Sequence, residues 1–267
     1  MKRILLILIS AMLLFSCEDV IDVDLNDAPP RLVIEGNINV NIASGSNADS
    51  YVKLSTTAPF FDNQIPAVEN AVVRIIAENG IVYNFIYAES GYYFSNFIPI
   101  ANMDYTLEVL YNEEVYASTT HLVSSVPLEY VEQKDDGGFL GDRIELKAFF
   151  TDPAEEENYY FFVGHSERGV VRNVISDKFF NGNAIFGSYR ADDLSSGDEV
   201  KFNLYGVTEE FFNYMSILLQ QTGSGGGPFE TQPATVKGNI INSTNPENYP
   251  LGYFRISEVS NLDYTVI

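Results

Sequence analysis

Three clusters of acidic side chains are the first candidates for chemistry in this sequence: Asp135-Asp136, Glu155-Glu156-Glu157 and Asp192-Asp193. Two carboxyl groups held about 5–9.5 Å apart can hydrolyse a glycosidic bond. Each cluster lies near glycine, proline or serine, which is typical of solvated turns. The sequence therefore favours turns over a hydrolase. Calcium bound in one of these loops is a further hypothesis, because hard cations prefer carboxylate oxygens.

The two histidines, His121 and His165, offer few routes to catalysis. Neither belongs to an HExxH motif, and two isolated histidines do not make a metal site. The sequence contains no GxSxG elbow, and Gly223-Ser224-Gly225 follows a predicted helix, which is the wrong place for such a nucleophile. It also lacks a Walker-type phosphate loop. We therefore expect ordinary histidines, no catalytic or cofactor-binding residues and no resident metal.

Aromatic clusters could instead bind a ligand or a partner protein. Adjacent side chains of a strand point to opposite faces, so one ring of each pair faces the core and the other can be exposed. Exposed Tyr and Phe rings are good anchors for interfaces and sugars. Packing between sheets is the alternative, and the absence of Trp strengthens it. The clusters are Tyr92-Tyr93-Phe94, Tyr159-Tyr160-Phe161-Phe162, Phe179-Phe180 and Phe211-Phe212.

The single cysteine, Cys17, has a sequence context that gives it a role. It follows a basic pair, Lys2-Arg3, and a twelve-residue apolar run, Ile4 to Phe15, interrupted by one serine. Such a run is short for a membrane span, which needs about 20 residues, and suits a signal-peptide core. The segment Leu14-Phe15-Ser16-Cys17 resembles the lipobox of bacterial lipoproteins. That resemblance implies cleavage before Cys17 and its lipidation, whereas an ordinary secretory signal is the alternative.

Residues 1–16 are accordingly predicted to be a lipoprotein signal peptide and residues 17–30 an acidic tether. Several fatty acyl chains, such as palmitate, would anchor Cys17 stably in a membrane, whereas one chain binds only marginally. The acids after the cysteine resemble the signal that sends lipoproteins of Bacteroidota to the cell surface. Metal binding by Asp22, Asp24 and Asp27 is less favoured, because the glycine and the twelfth-position Glu of a calcium loop are missing.

The charge of the chain excludes two classes of partner. It carries 37 acidic and 15 basic residues, a formal net charge of −22. Removal of Lys2 and Arg3 with the signal peptide leaves 13 bases against the same 37 acids, or −24. Nucleic acid binding needs clustered bases, and so does adsorption to anionic lipid. The hydrophobic fraction of 46% is high enough to form a core, which rules out wholesale disorder.

Period-two alternation of apolar residues begins at Arg31 and predicts seven short strands before residue 123. Asn79-Gly80 predicts a hairpin turn between the third and fourth strands. Seven strands in about 90 residues predict an immunoglobulin-like β-sandwich over residues 31–123. The predicted strands are Leu32–Ile38, Tyr51–Ser55, Ala71–Ile76, Ile81–Phe85, Gly91–Phe94, Asp104–Leu110 and Glu114–Thr120.

A boundary at Val123 to Pro127 is predicted to separate this sandwich from a second β-rich domain, residues 128–267. One helix is expected there, near 209–220, because Thr208 can cap it, glutamates occupy its first turn and its apolar residues share one face. The fold is therefore predicted to be mainly β, with one packed α-helix. The strands predicted in the second domain are Arg143–Phe150, Asn158–Val163, Glu199–Tyr205 and Val259–Ile267.

An ordered set of short motifs resembles the Bacteroidota lipoprotein family known as domain of unknown function 4249. Each motif is weak alone, but together they follow the lipobox through nearly the whole chain. They are Pro30–Gly36, Val52–Ser55, Asn70–Val73, Gly91–Tyr93, Asp152-Pro153, Asn158–Tyr160, Ser196–Asp198 and Leu251–Phe254.

The resemblance implies an envelope lipoprotein, usually encoded near a TonB-dependent outer-membrane receptor, and it supplies no catalytic residues. We therefore expect a non-enzymatic, lipid-anchored protein of the outer membrane, facing the cell exterior. Its expected role is that of an accessory to such a receptor, in nutrient capture or in receptor stabilisation. A stand-alone module that binds a glycan or a peptide is the alternative. An exposed concave groove lined by rings would favour ligand binding, and a flat apolar patch would favour a protein partner.

Overall fold

The computed structural model describes residues 29–59, 64–138, 141, 143–223 and 235–267. Fifteen strands and one helix, α1 (Glu209–Gly223), lie within these residues, so the expected mainly β fold is confirmed. The strands are β1 (Leu32–Asn41), β2 (Tyr51–Thr56), β3 (Val72–Ala77), β4 (Val82–Tyr87), β5 (Tyr92–Phe94), β6 (Asp104–Tyr111), β7 (Glu114–Val123), β8 (Tyr130–Gly137), β9 (Arg143–Thr151), β10 (Tyr159–Ser166), β11 (Gly169–Ser176), β12 (Ala184–Tyr189), β13 (Glu199–Val207), β14 (Ile241–Asn242) and β15 (Leu251–Thr265).

Strand pairing forms one large sheet and one small sheet. The large sheet has twelve strands in the order β11-β10-β13-β15-β1-β2-β5-β4-β3-β6-β7-β14. Because β7 also pairs with β15, the strands from β15 round to β7 close into a ring of eight. The small sheet has the order β12-β9-β8.

The ring encloses the first hydrophobic core. Apolar side chains at alternate positions of its strands point inward, as period-two alternation requires. Ile34, Leu54, Ile75 and Leu107 have no exposed surface. Burying each such side chain stabilises the fold by about 1.5–3 kcal/mol. The alternation of apolar residues therefore determines which face of each strand is turned towards the core.

A second core lies between the small sheet and the β10–β13 part of the large sheet. Its fully buried members include Phe150 on β9, Phe162 on β10 and Phe202 on β13. The rings of Phe162 and Phe202 stack with centroids 5.7 Å apart. The phenol of Tyr189, on β12, completes this core and shares a hydrogen bond with Ser166 at 2.6 Å.

The long strand β15 serves both cores and differs from the prediction. The predicted terminal strand began at Val259 and belonged to the second domain. In the structure, β15 begins at Leu251 and its first part pairs in parallel with β1. Its last part pairs antiparallel with β13. The first core therefore contains Phe254 and Ile256, which lie beyond the predicted boundary at residue 123.

One glycine explains why β15 can approach β1 so closely. Gly252 has a φ of +96°, which residues with a Cβ rarely adopt. A Cβ at this position would lie 2.0 Å from the carbonyl oxygen of Ile34. Only glycine fits here, so the local sequence permits the parallel pairing that joins the two cores.

The helix α1 confirms the prediction near 209–220 and extends it to Gly223. The amide of Phe211 donates to Thr208 Oγ1 at 3.3 Å, which is the expected N-cap. The helix packs through Phe211 on Phe161 and Val207, on the sheet face opposite the second core. Within the part of the chain that the structure covers, no helix is both long enough and apolar enough to cross a bilayer.

Candidate functional site

The structure brings together two of the three acidic clusters. Asp135 and the pair Asp192-Asp193 line one open cleft of about 510 Å³. Arg143 also lines this cleft and forms a salt bridge with Asp192. One of the three carboxylates is thus paired with an arginine, and the cleft is open to solvent, as is typical of a surface ion pair.

The third cluster, Glu155-Glu156-Glu157, lies in an exposed turn between β9 and β10. Glu157 Oε1 accepts a hydrogen bond from the Tyr159 hydroxyl at 2.7 Å. Across the described ranges, no three His, Cys, Asp or Glu side chains gather in a way that could hold a metal ion. The calcium hypothesis therefore gains no set of ligands there.

The two histidines lie on different strands and face solvent. His121 is on β7, with Nδ1 3.9 Å from Asp104 Oδ1. His165 is on β10 and lines a small surface cleft with Ser166. The Ser166 hydroxyl pairs with Tyr189 rather than with the imidazole. Cys17, the tether acids Asp22, Asp24 and Asp27, and Ser224 lie outside the described residues.

The aromatic clusters divide between the cores and the surface. Tyr93 is buried in the first core, whereas Phe94 beside it is exposed, as alternation predicts. Phe179 and Phe180 are both exposed, with 85% of Phe179 accessible to solvent. Phe161 and Phe211 meet each other between β10 and α1, with ring centroids 5.5 Å apart. This last pair leads to the candidate site.

A cleft of about 350 Å³ lies between α1 and the outer face of the large sheet, and we call it the α1 cleft. Strands β1, β2, β10, β11, β13 and β15 supply its floor and α1 supplies its roof. Six aromatic rings line it: Tyr51, Phe161, Tyr205, Phe211, Tyr214 and Tyr253. The cleft therefore combines a concave shape with ring surfaces and several polar groups.

Strand register places an arginine in this cleft. Arg255 lies on β15 between Phe254 and Ile256, whose side chains fill the first core. Alternation therefore turns Arg255 to the opposite face, under α1. Asn37 on β1 lies opposite both Arg255 on β15 and Tyr51 on β2, so the three residues form one row across the floor of the cleft.

Among the described residues, no carboxylate forms a salt bridge with the buried guanidinium of Arg255. The residue is 8% exposed, and its Nη1 donates to Asn39 Oδ1 at 2.8 Å. Its Cζ lies 4.4 Å from the centroid of the Tyr205 ring and 5.7 Å from that of Phe211. Among the described residues, Nε has no hydrogen-bond partner and no salt bridge includes Arg255.

Burial also changes the titration of the groups in the cleft. Desolvation lowers the pKa of Arg255, and the phenols of Tyr205 and Tyr51 oppose that change. Desolvation raises the pKa of Tyr214 to about 12, with the negative charge of Glu35 adding to it. The phenols of Tyr214 and Tyr51 therefore stay neutral at physiological pH, where they can donate hydrogen bonds.

Comparison with protein families assigns the chain. Residues 18–263 match the family described as Domain of unknown function (DUF4249). The chain belongs to this family. The resemblance of the ordered motifs is thereby confirmed for this DUF4249 protein, whereas none of the curated proteins compared with it matches.

Among solved structures, this DUF4249 chain is similar to a two-domain fibronectin type-III segment from chicken tenascin. The identity is 12%, and the match covers 67% of this chain and 91% of the other, with a TM-score of 0.21. Such a score carries no argument, so the description of the fold rests on strand pairing alone.

Sequence reasoning missed Arg255, the buried arginine of the site. The motif Leu251–Phe254 supported the family resemblance, but Arg255, the residue after it, was not singled out. The signal was present, because Arg255 stands between two large apolar residues, Phe254 and Ile256. A charged residue inside a buried strand is rare unless it is paired, which marks it for attention.

Proposed function

We propose that this protein is a non-enzymatic lipoprotein of the bacterial outer membrane that captures a small ligand in the α1 cleft. In this role it faces the cell exterior, is anchored through Cys17 and delivers its ligand to a TonB-dependent receptor. The cleft carries the proposal, because it is concave, lined by rings and provided with one buried cation. Ligand pockets typically measure about 300–1,000 Å³ and combine apolar walls with a few placed polar groups.

Ligand capture is tested by what the protein retains during purification. The soluble chain from residue 18 onward would be incubated with growth medium, isolated under native conditions and examined by mass spectrometry. We expect a small molecule to be retained by the unmodified chain and lost from Tyr214→Ala, because Tyr214 lines the cleft. Ile217→Ala is the matched control, since Ile217 lies on the same helix and is exposed. Equal retention by both variants, or none by any chain, would contradict capture in this cleft.

Anchoring through Cys17 is supported by the lipobox and by the family match, which starts one residue beyond it. The tether would hold an acidic body away from an anionic surface, so the acyl chains supply the membrane affinity. Cys17→Ser should move the protein from the membrane fraction to the soluble fraction. Retention of the serine variant in the outer membrane would disprove lipid anchoring at this residue.

Receptor docking is favoured by a second observation. Phe94 pairs with Ile86, and Val72 pairs with Leu110, in the registers of β4–β5 and β3–β6. The register of β3–β4 continues to place Val72 beside Ile86, so four exposed apolar side chains cross four strands in one row. Exposed apolar rows of this kind are typical of protein interfaces.

Affinity purification from detergent-solubilised membranes tests this docking. We expect a TonB-dependent receptor to be recovered with the unmodified protein and lost with Ile86→Asp. Ile241→Asp serves as the control, because Ile241 is similarly exposed but lies on β14. Ligand retention without any receptor would favour the alternative, a stand-alone module that binds a glycan or a peptide.

The finer architecture also belongs to this proposal. We infer that strands β1 to β7 form the immunoglobulin-like sandwich expected over residues 31–123, and that strands β8 to β13 belong to the second β-rich domain expected over residues 128–267. Two groups of strands, β15-β1-β2-β5 and β4-β3-β6-β7, would be the two layers of the first sandwich. An arrangement of this kind supports a rigid binding module with α1 as an addition to its outer face.

A further inference from the structure

The buried cation of the α1 cleft points to the charge of its ligand. Arg255 is more than nine-tenths buried, and the acceptors around it satisfy only part of its donor set. An arginine has five N–H donors and stays protonated in proteins. Leaving such a group desolvated without a counter-ion is costly, although the chain as a whole carries an excess of acids.

The surroundings of Arg255 restrict that ligand further. Six rings line the cleft, and among the described residues the other cation that lines it, Arg172, is exposed. Glu35 also lines the cleft and its carboxylate disfavours a second negative charge there. Sites for phosphate groups usually supply several cations or the backbone amides of a helix N-terminus. Here α1 begins with two glutamates instead.

We propose, building on ligand capture in the α1 cleft, that the captured ligand is a small organic monocarboxylate whose planar or apolar body lies among the rings and whose carboxylate pairs with Arg255. The planar guanidinium matches a carboxylate with two parallel hydrogen bonds. Tyr205 lies against the guanidinium, with its ring centroid 4.4 Å from Cζ, and so fixes the orientation of that plane. A volume of about 350 Å³ suits a molecule the size of an aromatic acid.

The first test needs no variant. Binding of benzoate, phenylacetate, 3-phenylpropionate and octanoate to the unmodified protein would be measured by calorimetry and by ligand-observed NMR, beside the amides of the same acids. We expect at least one acid to bind and its amide to bind about ten- to a hundredfold more weakly, the range for a charge-assisted hydrogen bond. The proposal would be overturned if no acid bound at a concentration of about 10 mM, at which even a very weak site is occupied. Equal binding of an acid and its amide would also overturn it.

The second test replaces the cation. Arg255→Gln should weaken binding of the acid about ten- to a hundredfold and leave binding of the amide nearly unchanged. Arg190→Gln removes the same charge from an exposed position outside the cleft and is the matched control, with an expected change of about threefold or less. Circular dichroism and thermal melting would establish that both variants fold. Equal losses in the two variants would show a general effect of charge and contradict pairing with Arg255.

Three further comparisons distinguish a small acid from a peptide C-terminus, a carboxylate from a phosphate, and a failure of the carboxylate proposal from a failure of ligand capture. N-acetylphenylalanine should bind more tightly than an acetylated tetrapeptide that ends in phenylalanine, and the reverse order would replace the small acid with a peptide C-terminus. Phenyl phosphate should bind more weakly than phenylacetate. If native purification yields a neutral compound that Tyr214→Ala loses and Arg255→Gln retains, ligand capture stands and the carboxylate proposal fails.

Discussion

The carboxylate of Glu114 joins the start of β7 to β14 and to the segment that follows β14. It accepts hydrogen bonds from the Tyr116 hydroxyl at 2.6 Å and from the side-chain amides of Asn242, Asn245 and Asn248 at 2.9, 3.0 and 2.6 Å. These donors, with Tyr116 contributing most, lower the pKa of Glu114 from 4.5 to about 2. Every one of them favours the charged form of the carboxylate.

Glu114 should therefore make the stability of the protein depend on pH in the acidic range. A carboxyl group whose pKa is lower in the folded state than in the unfolded state stabilises the folded state at pH values above the pKa of the unfolded state. This stabilisation is lost as the pH falls through the pKa of the folded state. The window here runs from about pH 4.5 down to about pH 2. Glu114→Gln should lower the melting temperature at pH 7 and make little difference at pH 2, as measured by thermal melts across this range.

The neighbouring residue provides the control for that experiment. Glu113 is exposed in the same turn, at a φ of +64°. Glu113→Gln removes an equal charge and should leave the melting temperature at pH 7 nearly unchanged. A similar loss in both variants would mean that net charge, and not the hydrogen bonds of Glu114, sets the stability.

Asp177 presents the opposite case. It has no exposed surface, its Oδ2 accepts from the amide of Asn158 at 2.7 Å, and its Oδ1 has no partner among the described residues. Burial raises the pKa of Asp177, and the charge of Asp152 raises it further. The protonated carboxyl group therefore stabilises the folded state at pH values below the pKa of the unfolded state. This stabilisation is lost as the pH rises through the pKa of the folded state.

Asp177→Asn should consequently stabilise the protein at neutral pH. The amide oxygen can still accept from Asn158, and no charge remains to be desolvated. We expect the melting temperature at pH 7 to rise by about 2–4 °C, which corresponds to about 1 kcal/mol for a chain of this size, and the gain to vanish near pH 3. Asp177→Ala, which removes the acceptor, should instead lower it. A fall with asparagine would show that the charge itself is needed.

At the scale of elements, the pairing of β1 with β15 depends on the absence of a side chain at Gly252. Gly252→Ala should destabilise the protein by about 3 kcal/mol or more, because it adds a contact 2.0 Å from the Ile34 carbonyl to the strain of a positive φ. Urea denaturation would measure the loss. Gly45→Ala is the control, since Gly45 has a φ of +64° and no described residue lies within 4 Å of the added Cβ. It should cost about 1 kcal/mol. Equal costs would mean that β15 shifts to make room.

Local pattern was sufficient for some strands and insufficient for others. All seven strands expected before residue 123 are present, with ends that differ by three residues or fewer, because each has one buried and one exposed face. β8 was missed, since Tyr130–Gly137 is mostly exposed and polar. The first part of β15 was missed for the opposite reason, because residues 254–257 are all buried and no alternation remains.

The α1 cleft could be predicted only in pieces. Phe211 and the N-cap at Thr208 follow from local sequence, and so does the direction in which α1 packs. The partners of Arg255 do not, because Asn39 is 216 positions away and reaches it only through the parallel register of β1 and β15. The aromatic pairs in the sequence indicated that rings could be exposed for binding. The burial of Arg255 beside them depends on how distant strands pair.

At the scale of the whole molecule, the two cores share a strand and should unfold together. Phe254 and Ile256 of β15 lie in the first core, and Leu262 and Tyr264 pack against the second. We expect one transition in urea, with tyrosine fluorescence and far-ultraviolet circular dichroism following the same curve. A chain truncated before Leu251 should lose the ordered structure of both halves. Two separate transitions would show that the halves are independent units.

The position of β15 in the chain also governs when the protein can fold. Ile34 pairs with Gly252, so the first long strand must wait for a partner that is made 218 residues later. At a synthesis rate of about 5–20 residues per second, the delay is roughly ten to forty seconds. During that interval the ring has an open seam, and β1 lacks one of its two neighbours. Completion of the fold is thus postponed until synthesis reaches residues 251–265. Until then the earlier part of the chain stays incompletely folded and accessible to chaperones.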